Sequence, residues 1–206
     1  MSTTDTTPRS TRPRTHWRVI DIVTAAVLGV ATGLIFVVWN TIGYAWFSAM
    51  DALTPGFGGI AVGVWLLGGV LGGLIIRKPG AAFFVEVLAA TVSMLLGSQW
   101  AIETVLSGVA QGLGAELVFA LFLYRRFTLP VAMLVGVGAG LFAFLLELVL
   151  SANLAKGAGF LGIYLGSLVV SGAVLAGLLG WLLTRALAAT GVLSRFASGR
   201  EARARA

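Results

Sequence analysis

Six apolar runs divide this chain, each near the length at which a helix crosses a lipid bilayer. A helix needs about 20 apolar residues to span a hydrocarbon core of about 30 Å. The runs cover residues 17–40, 58–76, 80–97, 104–124, 129–151 and 160–184. Turn or charge signals separate them: Pro55-Gly56, Arg77-Lys78-Pro79-Gly80, residues 98–103, Arg125-Arg126 before Pro130, and residues 153–159. Only 11% of the residues are charged, against roughly 25% in a soluble domain, so most of the chain has no water to face. The expected fold is an all-α membrane protein, a six-transmembrane-helix bundle over residues 17–184. Residues 1–16 are polar and read as a disordered basic arm. Residues 185–206 read as a basic tail.

Basic residues set the orientation. With the N-terminus inside, the inner segments hold Arg9, Arg12, Arg14, Arg18, Arg77, Lys78, Arg125, Arg126, Arg185, Arg195, Arg200, Arg203 and Arg205. The outer loops hold only Lys156. Thirteen of the fourteen basic residues thus fall on one side, and both termini are expected in the cytoplasm. An odd number of spans would scatter them. The net charge of +6 therefore reads as cytoplasmic loops and not as a nucleic-acid face. There is no cysteine, and His16 is the single histidine. That excludes disulfides, thiolate metal sites and histidine-rich metal sites, and no cofactor is expected. The sequence has no P-loop, no H-E-x-x-H and no G-x-S-x-G. These absences disfavour an enzyme and favour a binding subunit that borrows energy from elsewhere. A self-sufficient proton-coupled transporter or channel, relaying protons through Glu86, Glu116 and Glu147, is the alternative.

Small residues permit close approach of helices where lipid supplies no hydrophobic drive. Gly68, Gly69, Gly72 and Gly73 make such steps in the second run, Gly136 and Gly140 in the fifth, and Gly162 and Gly166 in the sixth. Ala25, Gly29 and Gly33 form a stripe at spacing four in the first. It fits internal packing or a docking face for another membrane subunit.

Ionisable groups at membrane depth are costly and point to function. Glu86 and Glu116 lie near basic clusters, in the inner half, and fit either buried structural roles or coupling to a cytoplasmic partner. Glu147 lies in the outer part of the fifth run. Glu103, Ser107 and Gln111 repeat every four residues and share one helix face. Tyr164, Ser167 and Ser171 share another. Trp39, Asn40, Tyr44, Trp65, Gln99 and Trp100 also fall toward the outer side. Trp46 and Phe47 fit an interfacial belt. A belt does not require carboxylates and amides at the same level. Aromatic faces with a carboxylate make a pocket for a flat, polar or cationic heterocycle.

Several separated stretches carry a family likeness. They are Trp17-Arg18-Val19-Ile20-Asp21-Ile22-Val23, Gly63-Val64-Trp65-Leu66-Leu67-Gly68-Gly69-Val70-Leu71-Gly72, Ile75-Ile76-Arg77-Lys78-Pro79-Gly80-Ala81-Ala82, Gly97-Ser98-Gln99-Trp100, and Gln111-Gly112-Leu113-Gly114-Ala115-Glu116-Leu117-Val118-Phe119-Ala120-Leu121-Phe122 with Arg125-Arg126. Over residues 17–184 the chain resembles the YkoE family, substrate-binding (S) components of energy-coupling factor (ECF) transporters. The resemblance implies uptake of thiamine or its hydroxymethylpyrimidine precursor across a prokaryotic plasma membrane. It implies as partners a transmembrane coupling subunit and two ATPase subunits. It implies that Ala25, Gly29 and Gly33 contact the coupling subunit, and that the loaded subunit topples to deliver its vitamin. The ligand-binding candidates are Trp39, Asn40, Tyr44, Trp65, Gln99, Trp100, Glu103, Gln111, Glu147 and Tyr164, with the choice among Glu103, Gln111 and Glu147 left open.

Overall fold

The structure is a computed structural model that describes residues 16–204, with side chains described through Glu201. The expectation of a disordered arm over residues 1–16 lies outside the described residues, apart from His16. The described residues are all-helical, without strands. In chain order they form α1 (Val19–Leu53), a 3₁₀ segment (Phe57–Leu66) running into α2 (Leu67–Ile76), α3 (Ala81–Leu95), α4 (Ile102–Leu121) and α5 (Leu129–Leu150). A short 3₁₀ turn (Asn153–Lys156), α6 (Gly157–Ser171), a π segment (Gly172–Leu178), α7 (Leu179–Ala189) and α8 (Ala197–Ala204) follow.

Among the described residues, five helical segments are long and apolar enough to cross a membrane: Val19–Leu53, Phe57–Ile76, Ile102–Leu121, Leu129–Leu150 and Asn153–Ala189. The run at 80–97 gives only the 15-residue α3, about 22 Å at 1.5 Å per residue. Gly80 (φ +86°) and Gly97 (φ +98°) bound it, left-handed positions that suit glycine. The first run goes the other way. Residues 41–50 carry no break, so α1 continues 13 residues past Asn40, ending at Leu53 before Pro55-Gly56. Its 35 residues reach about 52 Å, longer than the hydrocarbon core, and its overhang becomes a wall of the cavity described below.

The second span sits at the centre, almost wholly buried. Its first half is a ten-residue 3₁₀ segment, although such runs rarely exceed three or four residues unaided. Serines of α6 support it from outside. Ser171 Oγ accepts from Gly63 N (2.7 Å) and donates to the Ile60 carbonyl (2.7 Å), and Ser167 Oγ donates to the Gly56 carbonyl (3.0 Å). Where the segment turns α-helical, Gly69 N donates to Glu86 Oε2 (2.5 Å). With its amide oriented to satisfy its neighbours, Gln111 donates to the Trp65 carbonyl (3.1 Å) and to Glu86 Oε1 (3.2 Å). Glu86 and Gln111 thus splice the 3₁₀-to-α junction beside Trp65.

Glu116 has a similar structural task. It accepts from the backbone N–H groups of Gly80 (2.6 Å), Ala82 (3.0 Å) and Phe83 (3.2 Å), and so caps α3 from a neighbouring helix. The Tyr124 hydroxyl donates to it at 2.6 Å. Burial and the Glu116 carboxylate hold that hydroxyl above its ordinary pKa, so it stays a donor.

Ala25, Gly29 and Gly33 are buried against α3. A Cβ on Gly29 would meet Leu88 at 2.7 Å, and one on Gly33 would meet Val92 at 2.7 Å and the Ala89 carbonyl at 2.8 Å. Within the chain, α3 packs along this stripe. The glycines of α6 are the reverse case. Nothing lies within 4 Å of a Cβ on Gly162 or Gly166, so among the described residues that motif packs against no other element. The boundary at residue 184 falls inside α7, and the segment beyond it returns to the bundle. Leu193 and Phe196 are buried with Ala25, Ile75 and Val85.

Candidate functional site

The end of the bundle remote from Arg77, Lys78, Arg125 and Arg126 encloses a cavity of about 270 Å³. Each wall follows from helix spacing. Asn40, Tyr44, Phe47 and Asp51 recur every three or four residues and share one face of α1. Glu103, Ser107 and Gln111 share one face of α4. Trp65 comes from the 3₁₀ segment, Trp100 from the turn before α4, and Glu147 from the end of α5. Asn153 and Lys156 come from the following turn, and Phe160 and Tyr164 from α6.

The rings touch in series. Trp65 and Trp100 meet edge to face at 5.6 Å and 90°, and Trp100 meets Tyr44 at 5.4 Å and 84°. Tyr44 stacks on Phe47 at 6.2 Å, Phe47 meets Tyr164 at 6.4 Å, and Tyr164 stacks on Phe160 at 5.6 Å. Edge-to-face and stacked pairs at these separations are mutually attractive and stiffen the wall. Polar groups hold the rings in place. Trp65 Nε1 donates to Asn40 Oδ1 (2.9 Å), and Asn40 Nδ2 donates to Ser93 Oγ (3.0 Å). The Tyr164 hydroxyl donates to Glu147. Asp51 Oδ1 accepts from Gly56 N (2.8 Å), which ties the end of α1 to the next turn. Lys156 Nζ lies 4.5 Å from the centre of the Phe160 ring. The site thus combines apolar ring faces with three carboxylates, of Asp51, Glu103 and Glu147, and one ammonium.

Eight of the ten sequence-predicted residues line this one cavity: Asn40, Tyr44, Trp65, Trp100, Glu103, Gln111, Glu147 and Tyr164. Two do not. Trp39 stands behind the wall, donating from Nε1 to the Ala61 carbonyl (3.0 Å) and touching Trp65 at 6.4 Å. Gln99 is exposed on the turn before α4. Sequence reasoning missed Asp51, Asn153, Lys156 and Phe160 and assigned Phe47 to a belt. Continuing the α1 periodicity from Asn40 and Tyr44 would have reached Phe47 and Asp51. Asn153 and Lys156 carry no comparable signal, because they read as loop.

Comparison with known proteins agrees with this architecture. Residues 20–142 match a family described as "ABC-type cobalt transport system, permease component". Over 189 residues the chain is 37% identical to the putative HMP/thiamine permease protein YkoE of Bacillus subtilis (strain 168), covering 90% of this chain and 92% of that protein. A solved structure described as an S-component of an ECF transporter superposes with a TM-score of 0.86 at 34% identity, covering 92% of this chain and 95% of the other.

Proposed function

Because the chain belongs to the YkoE family, we propose that it is the substrate-binding subunit of an ECF-type importer that takes hydroxymethylpyrimidine or thiamine into the aromatic cavity. The carrying observation is the cavity itself. About 270 Å³ is slightly below the usual range for drug-sized ligands and suits a small heterocycle. The rings of Trp65, Trp100 and Tyr44 offer faces to a pyrimidine or a thiazolium, and the surplus of carboxylates favours a cation.

In this reading six helices cross the membrane with both termini in the cytoplasm. The 15-residue α3 counts as a crossing because α1, α2 and α4 surround it, so its length need not match the lipid. An even count also keeps the basic residues on one side. The cavity then opens outward. Without a P-loop the chain cannot hydrolyse ATP by that route, so delivery falls to a transmembrane coupling subunit and two ATPases, with toppling of the loaded subunit in a prokaryotic plasma membrane. The proton-relay alternative is not favoured, because Glu86 and Glu116 are each engaged by backbone N–H groups. A metal cargo is not favoured either. Among the described residues no group of three or more histidine, cysteine or acidic side chains could hold an ion.

The purified chain is expected to bind hydroxymethylpyrimidine or thiamine without ATP, read by tryptophan quenching. Trp100→Ala should weaken binding by roughly 5- to 150-fold, the 1–3 kcal/mol typical of one stacked base. Trp46→Ala, outside the cavity, should leave affinity unchanged. Failure of the unmodified chain to bind either compound at millimolar concentration sinks the proposal.

A further inference from the structure

Three amides line the cavity, and two of them are committed to the protein. Asn40 bridges Trp65 and Ser93. Gln111 serves Glu86 and the Trp65 carbonyl. Asn153 differs. It begins the 3₁₀ turn between α5 and α6, is only 3% exposed, and lines the cavity. Its Oδ1 is buried without a hydrogen-bond partner. Buried polar atoms are nearly always paired, and this unpaired one belongs to a residue of the cavity wall.

We infer that Asn153 reads the aminopyrimidine edge of the ligand, an inference that rests on the substrate class proposed above. A side-chain amide presents a carbonyl acceptor and an N–H donor side by side. A 4-aminopyrimidine presents the complement: an exocyclic N–H donor next to a ring-nitrogen acceptor. Asparagine pairs with the corresponding edge of adenine through the same two bonds. Here Oδ1 accepts from the exocyclic amine and Nδ2 donates to the ring nitrogen. An ionised carboxylate only accepts, and so could make just one of these two bonds. Phe160 and Tyr164, on the helix that follows, line the same cavity and supply apolar faces beside the amide.

The test uses the full chain with two probes, hydroxymethylpyrimidine and its analogue with hydrogen in place of the amine. Titration calorimetry should give the unmodified chain a preference of roughly 10- to 100-fold for the amino compound, the range for one bidentate pair. In Asn153→Ala both probes should bind alike, at the level of the analogue. The ligand-free variant should melt within about 2 °C of the parent, because the amide oxygen serves no structural bond. A preference retained in Asn153→Ala overturns the inference and leaves the substrate class standing. Failure of the unmodified chain to bind either probe overturns the inference, and failure to bind thiamine as well overturns the substrate class. Should Asn153→Ala not fold, the isosteric Asn153→Asp decides. Loss of the Nδ2 donor should lower affinity for the amino compound at least ~5-fold, and unchanged affinity overturns the inference.

Discussion

Replacing Gly136 with leucine is expected to remove most of the folded protein from the membrane. Gly136 of α5 lies against the backbone of the π segment. A Cβ there would stand 2.7 Å from the Gly172 carbonyl carbon and 3.0 Å from the Gly177 nitrogen. Those atoms are main chain and cannot rotate aside. A Cβ on Gly172 would likewise stand 2.9 Å from the Gly136 carbonyl carbon of α5, so neither helix has slack. Overpacking an ordinary core costs about 1–3 kcal/mol when side chains can yield. Two backbones pushed apart should cost at least the upper end of that, a large share of the ~5–15 kcal/mol that holds a domain together. Gly162→Leu is the matched control, since nothing lies within 4 Å of its Cβ. It should change stability by no more than about 0.5 kcal/mol. Monodisperse yield on gel filtration reads both. Equal yields from the two variants would refute the packing described for Gly136.

The same contrast shows what the sequence carries. Gly136/Gly140 and Gly162/Gly166 have identical spacing, yet one faces backbone and the other faces away from the bundle. Spacing defines a face of a helix but not its neighbour. Ala25, Gly29 and Gly33 fit packing or docking by spacing alone for that reason, and α3 packs along them. Spacing of four gathers Glu103 and Gln111 onto one wall of the cavity. Trp39 fails for a geometric reason: adjacent helical residues point about 100° apart, so Trp39 and Asn40 cannot share a face. Gln99 precedes a strained turn, with Ala101 at φ +46°, where no helical rule applies. The role of Glu86 was not legible, because the 3₁₀-to-α junction that it splices leaves no mark on apolar periodicity. The family stretches prove to be partly structural. Trp17 donates to the Pro79 carbonyl (2.9 Å), and Lys78 donates to the His16 carbonyl (2.6 Å), so two of those stretches interlock.

That interlock sets the second large expectation. Asp21→Ala should lower stability by about 3 kcal/mol. Asp21 lies in the first turn of α1 with its side chain fully buried, and Lys78 is 8% exposed beside it. The carboxylate accepts from Lys78 Nζ at 2.5 Å, from Arg18 Nη2 at 2.8 Å and from Arg18 N at 2.7 Å. Removing one partner of a buried pair costs about 3–5 kcal/mol, mostly because the other charge is left uncompensated. The lower end applies here, since Lys78 keeps the His16 carbonyl and the Arg18 side chain, half exposed, can turn to water. The double variant Asp21→Leu with Lys78→Met removes both charges and should recover most of the loss. Thermal melts of the two variants against the parent measure the coupling. Asp21→Ala within 1 kcal/mol of the parent, or a double variant no better than the single one, would contradict a buried pair that matters. The cavity lies at the other end of the bundle. The folded fraction of Asp21→Ala should therefore bind ligand with the parent's affinity, which separates loss of the interlock from loss of the site.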